Sequence, residues 1–271
     1  MRIINKLSTL LVALLLGYGS AYPQTQADVK MGELLNGGDL FRLRKGYPDL
    51  KDSVSVKMLG FIADAQLGIG FNKLENAAVA LDSLLLHHQN EMGMETSIAT
   101  AALQGMNLLN LGMYGQAGKV GEDLVNALKE SVPFEALYSL VFIEKAGKAL
   151  AHVPRPYLER PDHDVTVPLS VETAGRGKHV HIPVEVNGMT KNYIFDTGCS
   201  FGNFVSEKYA EEAGLKIVAD SIPISGMEIG FVKLATADSL KIGELVYHNP
   251  VFMVTPPDNE VDSVFAFDGV L

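Results

Sequence analysis

The hydrophobic period of this chain changes from helical to two across a short stretch bearing several prolines, and no other feature constrains its fold as much. Before the change, apolar residues recur at helical spacing, as in Leu74, Ala77, Ala78, Leu81, Leu84 and Leu85. Pro154, Pro156 and Pro161 then intervene, with the polar run from Glu159 to Asp164 around the last of them. Each proline lacks a backbone donor and restricts the residue before it, so the helical pattern stops there. After the change Val165, Val167, Leu169 and Val171 alternate, then Val180, Ile182, Val184 and Val186, and Asn187-Gly188 follows with the residues of a tight hairpin turn. The expected organisation is therefore α+β: an all-α region over 28–152, a linker over 153–164 and a β domain over 165–271.

Within the helical region, Gln66-Leu67-Gly68 leads into Phe71 to Leu85, and Asn110-Leu111-Gly112 leads into Tyr114 to Leu128. Phe71 and Tyr114, Leu81 and Leu124, and Leu85 and Leu128 are each 43 apart, a period suited to stacked helix pairs. The pattern resembles tetratricopeptide-type repeats at a longer spacing than theirs. A repeat module offering a groove to a protein partner and a plain helical bundle both satisfy it.

The first residues have the layout of a secretory signal over 1–21: Arg2 and Lys6 at the start, the apolar run Leu10 to Leu16, and Gly19-Ser20-Ala21 at the cleavage end. The run is too short to span a bilayer. Cys199 is the single cysteine, so there is no internal disulfide and no cysteine after the leader to carry a lipid. Export to the periplasm or medium without a stable membrane anchor is expected. The formal charge is −10, and loss of the leader would remove two positive charges more, which argues against nucleic acid or an anionic membrane surface as partner.

The chemistry concentrates in the β domain. The apolar strand Tyr193-Ile194-Phe195 runs into Asp196-Thr197-Gly198-Cys199-Ser200, and a short helix is expected from Ser206 to Ala213, closed by Gly214. Over Lys178 to Leu271 this order of strand, Asp-Thr-Gly turn and helix resembles the retropepsin-like aspartic proteases. The resemblance implies an all-β acid-protease barrel with Asp196 as the catalytic carboxylate. It further implies that Thr197 links two catalytic loops across a dimer axis, that Gly198 brings a backbone amide to the carboxylates, and that Ser200 hydrogen-bonds the outer oxygen of Asp196. Because Asp-Thr-Gly occurs once and the reaction needs two carboxylates sharing a proton, a homodimer is implied. The family's flap falls on Ser225 to Gly230, with Gly226, Met227 and Gly230 as its candidate residues. Peptide or protein is the implied substrate, and no cofactor or metal is required.

The largest departure is at the end, Phe267-Asp268-Gly269-Val270-Leu271. Val270 and Leu271 match the family's apolar pair, but the elements after them are missing. The expectation is a domain truncated at its C-terminus, a loop lacking its supporting strand, and an inactive chain as it stands. Other candidates are weaker: Cys199 suits packing better than nucleophilic attack, and His179 with His181 has no third ligand at metal spacing. His87-His88 fits a helix end, while Asp258, Glu260 and Asp262 lack the glycine-centred spacing of a calcium loop. Two functions remain open: an exported aspartic endopeptidase, or a non-catalytic peptide- or protein-binding module on a degenerate protease-like domain.

Overall fold

The computed structural model describes residues 25–174, 177–199, 201–225, 229–256 and 269–271. The leader expected over 1–21 and the acidic residues Asp258, Glu260 and Asp262 lie outside the described residues. The helical half comprises α1 (Gln26–Asn36), α2 (Leu40–Leu50), α3 (Lys57–Gly70), α4 (Leu74–His87), α5 (Gln89–Asn110), α6 (Tyr114–Leu128) and α7 (Tyr138–Leu150). A capping box starts α1: the Asp28 amide donates to the Thr25 hydroxyl at 3.1 Å, and the Thr25 amide donates to the Asp28 carboxylate at 2.7 Å. The same carboxylate accepts from the Ser55 amide (2.8 Å), the Ser55 hydroxyl (2.7 Å) and the Val56 amide (3.1 Å). Asp28 thus fastens α1 to the start of α3. Burial works to raise its pKa, but these hydrogen bonds outweigh burial and hold it well below the ordinary carboxylate range.

Helices α3–α4 and α5–α6 form two equivalent pairs. Each first helix ends on a residue of positive φ, Asn72 at 52° and Gly112 at 69°, where a glycine or asparagine is the usual choice. Each end is then locked by the same long backbone bond, Lys73 N–H to Gly68 O at 2.7 Å and Met113 N–H to Leu108 O at 2.9 Å. These bonds pair Leu74 with Tyr114 and Ala77 with Ala117, an offset of 40 and not the 43 suggested by Phe71 and Tyr114. The turn geometry decides where the second helix begins, and an aromatic near the turn does not mark it. Helices α6 and α7 then approach until their backbones touch, since a Cβ on Gly147 would collide with the Gly118 backbone.

The second half comprises β1 (Tyr157–Glu159), β2 (Ser170–Ala174), β3 (Gly177–Val186), β4 (Met189–Ile194), β5 (Asn203–Ser206), α8 (Glu207–Glu212), β6 (Lys216–Ser225), β7 (Ile229–Thr236), β8 (Ser239–Ile242), β9 (Leu245–His248), β10 (Val251–Thr255) and β11 (Gly269–Val270). They form a mixed sheet in the order β1-β9-β8-β3-β4-β11-β5-β10-β7-β6, with β2 on β3. Among the described residues this path has β1 and β6 at its ends. Asn187 and Gly188, with φ of 49° and 86°, make the β3–β4 turn, both residues in the left-handed region that such a turn demands. The Asn187 side chain donates to Ala213 O at 3.0 Å and accepts from the Asp238 amide at 3.3 Å, tying the end of α8 to the start of β8.

Two expectations change. Inside the stretch expected to be a linker, β1 pairs with β9, and the Tyr157 ring stacks on His248 at 4.3 Å. The alternation from Val165 does not make a strand until Ser170, because Pro168 takes a donor out of the ladder. Further on, β9 and β10 are separated at Asn249 (φ 55°) and Pro250, where the residue types themselves signal a break.

One hydrophobic cluster belongs to the N-terminal helices, including Met31, Leu35, Leu81 and Leu84, and another to the sheet, including Tyr193, Val205, Tyr209 and Phe252. A third is shared: Leu109, Tyr114, Phe142 and Ile143 from the helices meet Phe201, Ile222, Val232, Leu234 and Met253 from the sheet. Asp28→Ala is expected to cost about 2 kcal/mol or more at neutral pH, since it leaves several donors unsatisfied. Because the folded pKa of Asp28 is depressed, its contribution is present above the ordinary carboxylate value of about 4 and is lost as pH falls below it. Urea unfolding of wild type and variant should therefore show a gap at pH 7 that narrows toward pH 3.

Candidate active site

The strand β4 delivers Tyr193 and Ile194 into the core, and the backbone then turns outward. Pairing with β3 continues for one more residue, Phe195 N–H to Val180 O at 2.8 Å. The next amide, of Asp196, donates to Leu271 O at 3.0 Å, while the Leu271 amide donates to Ile194 O at 2.9 Å. These bonds extend β11, which runs parallel to β4 and antiparallel to β5. The strand expected to be missing beneath the loop is thus in place, made by Gly269–Val270 and continued by Leu271. Gly269 lies directly against Tyr193, whose ring would meet an added Cβ at 2.5 Å, so this position accepts no side chain without movement.

Above this support the loop closes on itself. The Cys199 amide donates to Asp196 O at 3.0 Å, and the Gly198 amide donates to Asp196 Oδ1 at 2.8 Å. A backbone amide brought to the carboxylate is the role expected of Gly198. Asp196, Thr197 and Gly198 are all exposed, as is Phe195 just before them. Ser200, expected to bond the outer oxygen of Asp196, lies outside the described residues.

Cys199 faces inward. Its thiol donates to Gly202 O at 3.2 Å, and its pKa is pushed up to about 11, first by burial and then by the nearby Asp196 charge, with a backbone hydrogen bond from Phe201 opposing them. A thiol so placed stays protonated near neutrality and packs, as the sequence suggested. The loop then descends through Phe201, 7 % exposed, whose ring meets Phe142 of α7 edge to face at 5.6 Å.

The flap was expected over Ser225 to Gly230, and the strands on either side of that stretch, β6 and β7, pair with one another. The last described pairs of β6 and β7 are Ile224 with Gly230 and Ser225 with Ile229; Gly226 and Met227 lie outside the described residues. Lower down, Ile222, Val232 and Leu234 are buried in the shared cluster, and Lys145 of α7 donates to Ser221 O at 3.3 Å. The helix α8 begins as expected, with the Tyr209 amide donating to the Ser206 hydroxyl at 3.1 Å, and Gly214 ends it at a φ of 64°.

The remaining candidates do not converge. His179 and His181 sit in register with Glu172 and Ser170 of β2, and among the described residues no group of three or more side chains could hold a metal ion. His88 pairs with Glu91 within the helical half. Sequence reasoning missed two site residues, Gly269 and Phe201. A glycine before the apolar pair hinted at the first; nothing in the residue pattern announced that Phe201 would meet a helix of the other half.

Residues 182–268 match the family model described as aspartyl protease. The match runs from within β3 through the Asp196 loop and the β6–β7 hairpin, and it gives the second half its class, an aspartyl-protease domain. Among solved structures, the chain is similar to a retropepsin-like aspartic protease from Rickettsia conorii, at 18 % identity over 40 % of this chain and 80 % of that one, with a TM-score of 0.26. No curated protein matches.

The carboxylate's influence on the thiol gives a test of the loop geometry that needs no catalysis. In folded protein at pH 8, alkylation of Cys199 by iodoacetamide should run about 100-fold slower than in urea, as its raised pKa dictates. Asp196→Asn should speed the folded reaction, because it removes the charge that helps to raise that pKa; an unchanged rate would show that the carboxylate does not act on the thiol.

Proposed function

We propose that this chain is an exported aspartic endopeptidase of the retropepsin-like kind, active as a homodimer in which each copy contributes Asp196. The observation that carries the reading is Asp196 itself. It stands in an exposed strand-end turn, with one carboxylate oxygen held by the Gly198 amide, inside a segment that matches the aspartyl proteases. In the two-copy site a water lies between the paired carboxylates, which share one proton. The ionised member takes a proton from the water as it attacks the peptide carbonyl, and the protonated member hydrogen-bonds the carbonyl oxygen as the gem-diol forms. Reversal of the proton positions expels the amine. The chemistry proceeds without a covalent intermediate.

The surrounding donors matter because two close carboxylates are costly to hold unless hydrogen bonds surround them. On this reading Thr197 and Ser200 join Gly198 as supports, and the hairpin tip at Gly226 and Met227, with Gly230 behind it, covers the peptide. The same proposal takes 28–152 as a helical domain, 153–164 as a connecting segment, 165–271 as the protease domain, and 1–21 as the signal that exports it to the periplasm or medium.

Asp196→Asn should abolish cleavage of an unfolded protein substrate, lowering kcat by about 10³-fold or more while the fold is retained. A statine-type transition-state mimic should inhibit the wild type. Cleavage that continues unchanged in the variant would remove Asp196 from the chemistry. Sedimentation of the active protein should show a dimer; activity that is first order in a strict monomer would overturn the two-copy dyad.

A further inference from the structure

Phe201 is the point at which the Asp196 loop leaves the surface, and it is not seated in the sheet's own hydrophobic cluster. Two hydrogen bonds made by Cys199 lead to it: its amide donates to Asp196 O, closing the turn, and its thiol donates to Gly202 O, spanning Phe201. Its ring is buried against Phe142, itself 8 % exposed, in the middle of α7. The same cluster takes in Ile222 and Val232 from the two strands of the β6–β7 hairpin, and one turn further along α7 Lys145 holds Ser221. A single helix of the N-terminal half therefore supports both the loop that carries the carboxylate and the base of the hairpin expected to cover it. β11 holds the loop from below; α7 holds it from the side.

We propose that Phe142 is a positioning residue for Asp196, acting through Phe201, and that α7 is thereby a working part of the peptidase. The inference rests on the reading of Asp196 as catalytic, but the contact it invokes lies away from the reacting atoms. Loss of the Phe142 ring would leave Phe201 without its seat, and the turn bonds at Gly198 and Cys199 would open more often. Closely packed supports have few alternative arrangements, so a small shift at Phe201 is passed on to the turn rather than absorbed.

The experiment measures amide hydrogen exchange at Gly198 and Cys199, together with peptidase kinetics, in the full chain. Phe142→Leu and Phe201→Leu keep an apolar side chain and are chosen so that the protein still folds. Leu81→Ala, in the separate N-terminal cluster, serves as a control for general destabilisation. Each leucine variant should raise exchange at the two amides about tenfold, by local opening, with the rest of the sheet unchanged. The double variant should do no more than either single one, since both remove the same contact. In the kinetics kcat should fall by up to about 100-fold with little change in KM, as for a misplaced catalytic group. Leu81→Ala should leave both readouts as in the wild type. Unchanged exchange in the Phe142 variant, or an equal rise in the Leu81 variant, would overturn the proposal. If exchange rises as described in a protein that cleaves nothing, the loop's seat on α7 is upheld and the peptidase reading is what fails.

Discussion

Burial of Phe201, Ile222 and Val232 among the side chains of α6 and α7 is the interaction on which the rest of this structure depends. Each of these residues lies on an element that also builds the candidate site, either the loop after the Asp-Thr-Gly turn or a strand of the long hairpin. A sheet needs one face covered, and here the cover is supplied by the helices that precede it in the chain. The backbone contact between Gly118 and Gly147 serves the same end, since it brings α6 and α7 together into one apolar surface.

Local chemistry was legible wherever a short run of residues determines its own geometry. Asn187-Gly188 forms the turn its positive φ angles demand, Ser206 caps a helix that Gly214 closes, and Asp196 follows an apolar strand into a turn with Gly198 donating to it. What escaped were features set by partners far away in the chain. Tyr157–Glu159 carries no strand signal of its own and becomes one because β9 offers an unpaired edge. Gly269–Val270 is too brief for any period to show, yet the gap between β4 and β5 takes it up. The helix-pair offset misleads for a related reason: aromatic and leucine positions suggest one register, whereas Asn72 and Gly112 and the bonds around them impose another.

The two carboxylates that organise this molecule show how environment assigns a role. Asp28 is buried and accepts hydrogen bonds from Thr25, Ser55 and Val56, and it joins two helices. Asp196 is exposed and, among the described residues, accepts an amide from its own turn. The first is saturated and structural. Asp196 is exposed to solvent.

The shared cluster also has a consequence for the order of events during synthesis. Helices α6 and α7 emerge well before the strands that cover them, so the apolar surface around Phe142 and Ile143 waits without its natural cover. The contacts that bury it join residues far apart in the chain, which slows their formation. Until Phe201, Ile222 and Val232 arrive, a nascent chain carries a sticky helical face, the kind of surface on which chaperones act and aggregation begins. The arrangement that steadies the finished loop thus makes the half-made protein vulnerable.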